Sequence, residues 1–118
     1  LIVEDSGTMI TQLQNMLKQL GFSNTDSAAD GVSALARIHA KNYGLVISDW
    51  NMEPMSGLEL LKEIRTRGKN MPFIMITAQC TIERKMEAFS VGATDFLIKP
   101  FTVDTLNGSL FWALSKTA

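Results

Sequence analysis

Short apolar runs alternate with amphipathic stretches along the whole chain. Leu1-Ile2-Val3, Leu45-Val46-Ile47, Phe73-Ile74-Met75-Ile76 and Phe96-Leu97-Ile98 are uninterrupted, and a weaker, more polar strand candidate covers Phe22 to Ala28. Between them apolar side chains recur at steps of three and four: Met9, Leu13, Met16, Leu17 and Leu20, then a helix from Gly31 to about Lys41. The pattern continues with Leu58, Leu61 and Ile64, with Ile82, Met86 and Phe89, and with Val103, Leu106, Leu110, Ala113 and Leu114. The first class reads as strands and the second as helices with one apolar stripe. The predicted order is strand then helix, five times.

A strand with no polar side must be covered on both faces, and helical crossovers between parallel strands supply that cover. The expectation is a doubly wound, three-layer α/β fold. In open sheets of this kind ligands bind beyond the carboxyl ends of the strands, where the winding reverses.

With 118 residues and 46% hydrophobic content, the chain can build one core, so residues 1–118 are read as one domain. Eleven basic against twelve acidic side chains leave a formal charge of −1, which supplies no field for a nucleic-acid backbone or an anionic membrane. Cys80 has no second cysteine to pair with, and no signal peptide or apolar run of about 18 residues is seen. A soluble, cytoplasmic setting is expected. The chain opens inside a strand and without Met, as a sequence trimmed from a longer one does.

Chemistry gathers at the strand ends. The first strand runs into Glu4-Asp5, the third into Ser48-Asp49, the fourth into Thr77-Ala78 and the fifth into Lys99-Pro100. A lone acid after a strand is usually a helix cap. Here three carboxylates, a hydroxyl and an ammonium arrive at one rim from four separate runs. Such carboxylates raise one another's pKa unless a cation compensates. Mg²⁺ takes octahedral oxygen ligands and keeps several waters. We expect Asp5 and Asp49 to ligate it directly, the Asn51 carbonyl to complete the protein ligands, and Glu4 to act through water. Lys99 is placed to neutralise a phosphoryl oxygen and Thr77 to donate to another, while Ala78 leaves room for the group. Asp49 is the candidate acceptor, since carboxylates form covalent phosphoryl intermediates and transfer needs mainly positioning and charge neutralisation.

Glu4-Asp5, Asp49, Thr77-Ala78 and Lys99-Pro100 resemble the acid pair, phosphoacceptor, switch hydroxyl and lysine of the response-regulator receiver family of two-component signalling. The separations of 44 residues from Asp5 to Asp49 and 22 from Thr77 to Lys99 fit that family. So do Asp49-Trp50-Asn51-Met52 and Met55-Ser56-Gly57-Leu58-Glu59-Leu60-Leu61, and the likeness covers essentially the whole chain. It implies a flavodoxin-like parallel sheet of order 2-1-3-4-5 with five helices, dependence on Mg²⁺, and phosphoryl transfer from a histidine kinase onto Asp49. The domain then promotes only its own phosphorylation and dephosphorylation and is no enzyme toward other substrates. The resemblance also implies a switch in which Thr77 moves inward and Phe96 rotates from exposed to buried. The fourth helix, fifth strand and fifth helix then form the face for a downstream protein or an attached effector domain, in a monomer or a weak phosphorylation-linked dimer. The family can carry a cis peptide at Lys99-Pro100, which the sequence leaves open.

Three positions depart from the family pattern. Glu53 stands where proline is usual, so that the proline falls at Pro54; Ser56 replaces an aspartate before Gly57; and Glu4 replaces the commoner aspartate. None removes a ligand, although Glu53 adds a carboxylate on the approach of anionic donors.

Rival functions fit less well. Asp49-Trp50-Asn51 has no second acid to serve an aspartyl-phosphate hydrolase as general base. A flavodoxin-like cofactor carrier needs a phosphate cradle where Glu4-Asp5-Ser6-Gly7 places two negative charges. A phosphorylation-independent docking receiver has no use for so complete a ligand set. Elsewhere, Trp112 is expected to face outward, opposite Leu106, Leu110 and Ala113, as a contact residue. His39 reads as a surface histidine, Cys80 as an inert thiol, the methionines as core filling, and Lys62 to Lys69 as a solvated basic helix end.

Overall fold

Five parallel strands form one sheet in the order β2-β1-β3-β4-β5. The computed structural model describes residues 1–79 and 81–115, so Cys80 lies outside the described residues. The elements run β1 (Ile2–Val3), α1 (Gly7–Gln19), β2 (Ser27–Ala28), α2 (Gly31–Ala40), β3 (Val46–Asp49), α3 (Gly57–Thr66), β4 (Phe73–Thr77), α4 (Ile82–Val91), β5 (Asp95–Ile98) and α5 (Val103–Ser115).

Alternation along the strands divides the core in two. Val3, Val46, Phe73, Met75 and Phe96 point to the layer of α2, α3 and α4, where Ile38, Leu61, Ile64 and Ala88 meet them. Their neighbours Ile2, Ile47, Ile74, Ile76 and Leu97 point to α1 and α5, against Leu13, Leu17, Leu106 and Leu110. This is why the strands read as unbroken apolar runs. The register sets Val3 beside Ser48 and Asp49 beside Ile76, so the carboxyl ends of the central strands reach the same rim.

Each helix that leaves this rim has a side-chain cap on its free N–H groups. Ser6, Asp30 and Thr81 accept from Met9 N, Ser33 N and Arg84 N at the starts of α1, α2 and α4. Ser56, the departure before Gly57, makes a reciprocal capping box with Glu59, both bonds at 3.2 Å.

Three features differ from the expectation. β2 is only Ser27–Ala28, and Phe22 is exposed before it. Arg65 is not a solvated helix end: its guanidinium is half-buried and donates to Gly92 O, Lys69 O and Met71 O at 2.8–3.1 Å. On α4 the stripe of Ile82, Met86 and Phe89 faces solvent, and the helix buries Ala88 instead. The sequence leaves Lys99-Pro100 open and gives no sign of Glu53-Pro54; both peptides are cis. Among the methionines Met86 is exposed, whereas Met52 and Met75 are buried. His39 is exposed, and so is Trp112, while Leu106, Leu110 and Ala113 on the opposite side of α5 are buried. Among the described residues no helix is long and apolar enough to cross a membrane.

Candidate functional site

At the rim, β1 delivers Glu4 and Asp5, β3 delivers Asp49, β4 delivers Thr77 and β5 delivers Lys99. Glu4, Asp49 and Thr77 are buried, with exposures of 4%, 7% and 0%, while Asp5 opens to solvent. One carboxylate oxygen from each of Glu4, Asp5 and Asp49 lies within 4.8 Å of the others. Lys99 Nζ sits between two of the acids, 3.3 Å from Asp49 Oδ1 and 3.7 Å from Glu4 Oε2. Its backbone is held by a Lys99 N–H to Thr77 O bond of 2.8 Å, which continues the β4–β5 ladder past the strand end.

One ammonium does not balance three acids in so small a volume. The Glu4 carboxyl carries the result: its pKa is pushed from 4.5 up to about 7, by burial first and then by the Asp49 carboxylate, with Lys99 opposing. Three oxygens at this spacing, two of them from partly desolvated acids, suit a hard divalent cation. Asn51 and Glu53 are exposed and line, with Asp5, Trp50, Met52 and Ser56, an open concavity beside the acids. Ala78 is exposed just beyond Thr77.

Thr77 Oγ1 accepts from Gln79 N at 3.1 Å and lies 3.5 Å from Arg84 Nη1. Both contacts use its lone pairs and leave its own proton free to donate. The residue after Asp49, Trp50, donates its backbone N–H to Ile76 O at 2.8 Å. Its ring lies between the Arg84 guanidinium, 4.7 Å from the centroid, and Phe96, which meets it edge-on at 6.4 Å. Phe96, expected to turn from exposed to buried, is already inside at 7% exposure.

Glu4, Asp5, Asp49, Thr77 and Lys99 are thus brought together as read from the sequence, with Asn51 and Ala78 at the margin. Two contributors went unread. Gly57 packs so closely under β3 that a Cβ there would overlap the Asp49 carbonyl oxygen and come within 3.0 Å of Met75 Sδ. Arg84 reaches the site from α4; its only sequence signal is the Thr81 cap, which puts residue 84 in the first helical turn.

Comparison with known proteins agrees with this geometry. Residues 1–110 match the family model of the response regulator receiver domain. The chain is 40% identical over 108 residues to the chemotaxis protein CheY of Pseudomonas aeruginosa, covering 90% of this chain and 87% of that protein. It is 42% identical over 112 residues to the chemotaxis protein CheY-3 of Vibrio cholerae, covering 93% and 86%. The structure of the Francisella response regulator 1452 receiver domain superposes with a TM-score of 0.91 at 30% identity, covering 99% of this chain and 96% of that one. Parallel strands in the order 2-1-3-4-5, a rim of acids with one lysine, and these likenesses along nearly the whole length place the chain in the response-regulator receiver family.

Proposed function

We propose that this chain is one phosphoacceptor domain that takes a phosphoryl group from a histidine kinase onto Asp49 and turns the added charge into a change at a protein-docking face. What carries this reading is Asp49 itself: a buried carboxylate with Lys99 Nζ at 3.3 Å, within 4.8 Å of the Glu4 and Asp5 oxygens.

In the transfer, an Asp49 carboxylate oxygen attacks phosphorus, and the P–N bond to the kinase imidazole breaks. The ring nitrogen keeps the electron pair, and an acyl phosphate remains on Asp49. Lys99 is the cation for one phosphoryl oxygen, and the Thr77 hydroxyl donates a hydrogen bond to another. Ala78 bounds the space for the group without filling it. Asp5 and Asp49 would hold Mg²⁺ directly, with the Asn51 carbonyl, and Glu4 would act through water. Bound there, Mg²⁺ supplies charge neutralisation for the transferring group.

The phosphoryl group brings about −1.5 to −2 charges. Drawing Thr77 toward it changes the packing beside β5, where Phe96 abuts Trp50, and so biases the population of the surface beyond. That surface carries the exposed apolar side chains Ile82, Met86 and Phe89 of α4, Ile98 of β5 and Trp112 of α5. Grouped apolar exposure of this kind marks a protein contact. A downstream protein or an attached effector domain is the expected occupant.

Incubation with acetyl phosphate and Mg²⁺ should add one phosphoryl group per chain, read by intact mass, and Asp49→Asn should add none. Equal labelling of that variant would sink the assignment.

A further inference from the structure

Arg84 stands in the first turn of α4, three residues beyond the Thr81 cap, and its half-buried side chain turns back over the site. The guanidinium carbon is 4.7 Å from the centre of the Trp50 ring, and Nη1 is 3.5 Å from Thr77 Oγ1. Among the described residues it makes no ion pair with a carboxylate. A cation held instead by an indole face and a hydroxyl is bound by contacts that a nearby anion can outcompete. Both contacts belong to residues that report on Asp49: Trp50 follows it in the chain, and Thr77 ends the neighbouring strand.

We propose that Arg84 is a positioning residue that latches the first turn of α4 to Trp50 and Thr77 while Asp49 is unmodified, and that a phosphoryl group on Asp49 opens the latch. The proposal rests on the phosphoacceptor role given above. The Thr77 proton is free to donate, but the inward move that carries Oγ1 onto a phosphoryl oxygen takes it away from Arg84 and breaks a contact that is already long at 3.5 Å. Once that contact is lost, only stacking on Trp50 remains. The released turn carries Ile82, and the same helix carries Met86 and Phe89, so the latch sets where the exposed apolar stripe lies. A planar guanidinium can stack on the ring and donate to the hydroxyl at once, which an ammonium cannot do equally well.

Wild type, Arg84→Met and Arg84→Lys would be compared in a Trp112→Phe background, which leaves Trp50 as the only indole of the chain's two. Three quantities are read on each protein, with and without acetyl phosphate and Mg²⁺: labelling at Asp49, Trp50 emission, and hydrogen exchange of the Lys85 amide, which bonds Thr81 O at 3.1 Å. The parent should change its Trp50 emission and exchange faster at Lys85 once labelled. Unlabelled Arg84→Met should already show most of both changes, with exchange about threefold faster, the population shift a contact of this class supports. Arg84→Lys should fall between the two. A merely structural loss would speed exchange but leave the label-induced emission change intact. The latch is overturned if Arg84→Met responds to labelling with the full emission change of the parent, whether or not its exchange is already fast. If the parent takes no label at all, the phosphoacceptor role itself fails and the latch falls with it.

Discussion

Replacing Glu4 with glutamine removes one negative charge from the rim and keeps the shape of the side chain. In the folded chain this carboxyl titrates near 7 instead of 4.5, because burial disfavours the anion and Asp49 repels it, with Lys99 compensating only in part. A raised value means that the folded chain holds the proton more tightly than the unfolded chain does. Below about pH 4.5 Glu4 is neutral in both states and costs nothing; as pH rises through 7 its contribution to stability is lost. Between 4.5 and 7, at about 1.36 kcal/mol per tenfold change in acidity, the full penalty is roughly 3 kcal/mol. Relaxation among Glu4, Asp49 and Lys99 lowers this to roughly 1–3 kcal/mol.

For a domain of this size each kcal/mol moves Tm by about 4 °C. In a chelating buffer at about pH 8, Glu4→Gln should therefore melt roughly 4–12 °C above wild type, and at about pH 4 the two should coincide. Circular dichroism melts at intervals of pH give the curve. The difference must grow across the window between 4.5 and 7 and then level off. Mg²⁺ should narrow the gap by stabilising wild type more than the variant; a ligand at about 100 times its Kd adds about 2.7 kcal/mol. A melting difference that is the same at all pH values would refute the claim that the rim is electrostatically strained.

Arg65→Ala should lower stability in urea by about 2–4 kcal/mol, because three carbonyls lose a shared donor, and Arg65→Lys should recover less than half of that; a loss below about 0.5 kcal/mol would contradict the clamp. Gly57→Ala should cost about 1–3 kcal/mol and slow labelling of Asp49, since the new methyl pushes on the Asp49 carbonyl. Gly7→Ala, with nothing within 4 Å, is the control for both effects. With Trp112→Phe as background, Mg²⁺ titration should change Trp50 emission, and a flat titration would count against a cation at Asp5 and Asp49.

The fold was legible because both faces of the sheet are covered. Val46 and Ile47, or Ile74 and Met75, belong to opposite cores, and the sequence records this as apolar runs without alternation. β2 was overextended because it is a sheet-edge strand of two residues, whose polar composition carries little pattern. The site residues were legible for a similar reason: Glu4, Asp49, Thr77 and Lys99 each lie at or just past the end of an apolar run. Arg65 was misread because a cation near a helix C-terminus has the same local signature whether solvated or folded back onto Gly92, 27 residues away. Gly57 and Arg84 act through close approach and stacking, which appear only once β3, β4 and α4 are assembled. The α4 stripe shows the same limit, since periodicity locates an apolar face but does not say what covers it.

These contacts make α4 the element best placed to respond. Ala88 is its one buried residue, so little apolar packing fixes it to the sheet. Its C-terminal end is held independently of the rim. Gly92, in the left-handed conformation with φ of 114°, turns its carbonyl to two donors of Arg65 at 2.8 and 3.1 Å. A side chain at Gly92 would be strained by that φ and would crowd Arg65, so glycine and clamp require each other. Its N-terminal end, in contrast, is held by Arg84 to Trp50 and Thr77, the residue after Asp49 and the last residue of the neighbouring strand. One end is therefore anchored to α3 at the far end of the helix from the rim, and the other to the immediate neighbours of Asp49. On the proposed phosphorylation of Asp49, a helix held in this way would pivot about Gly92, with its largest displacement at Ile82, the end of the exposed stripe nearest the site.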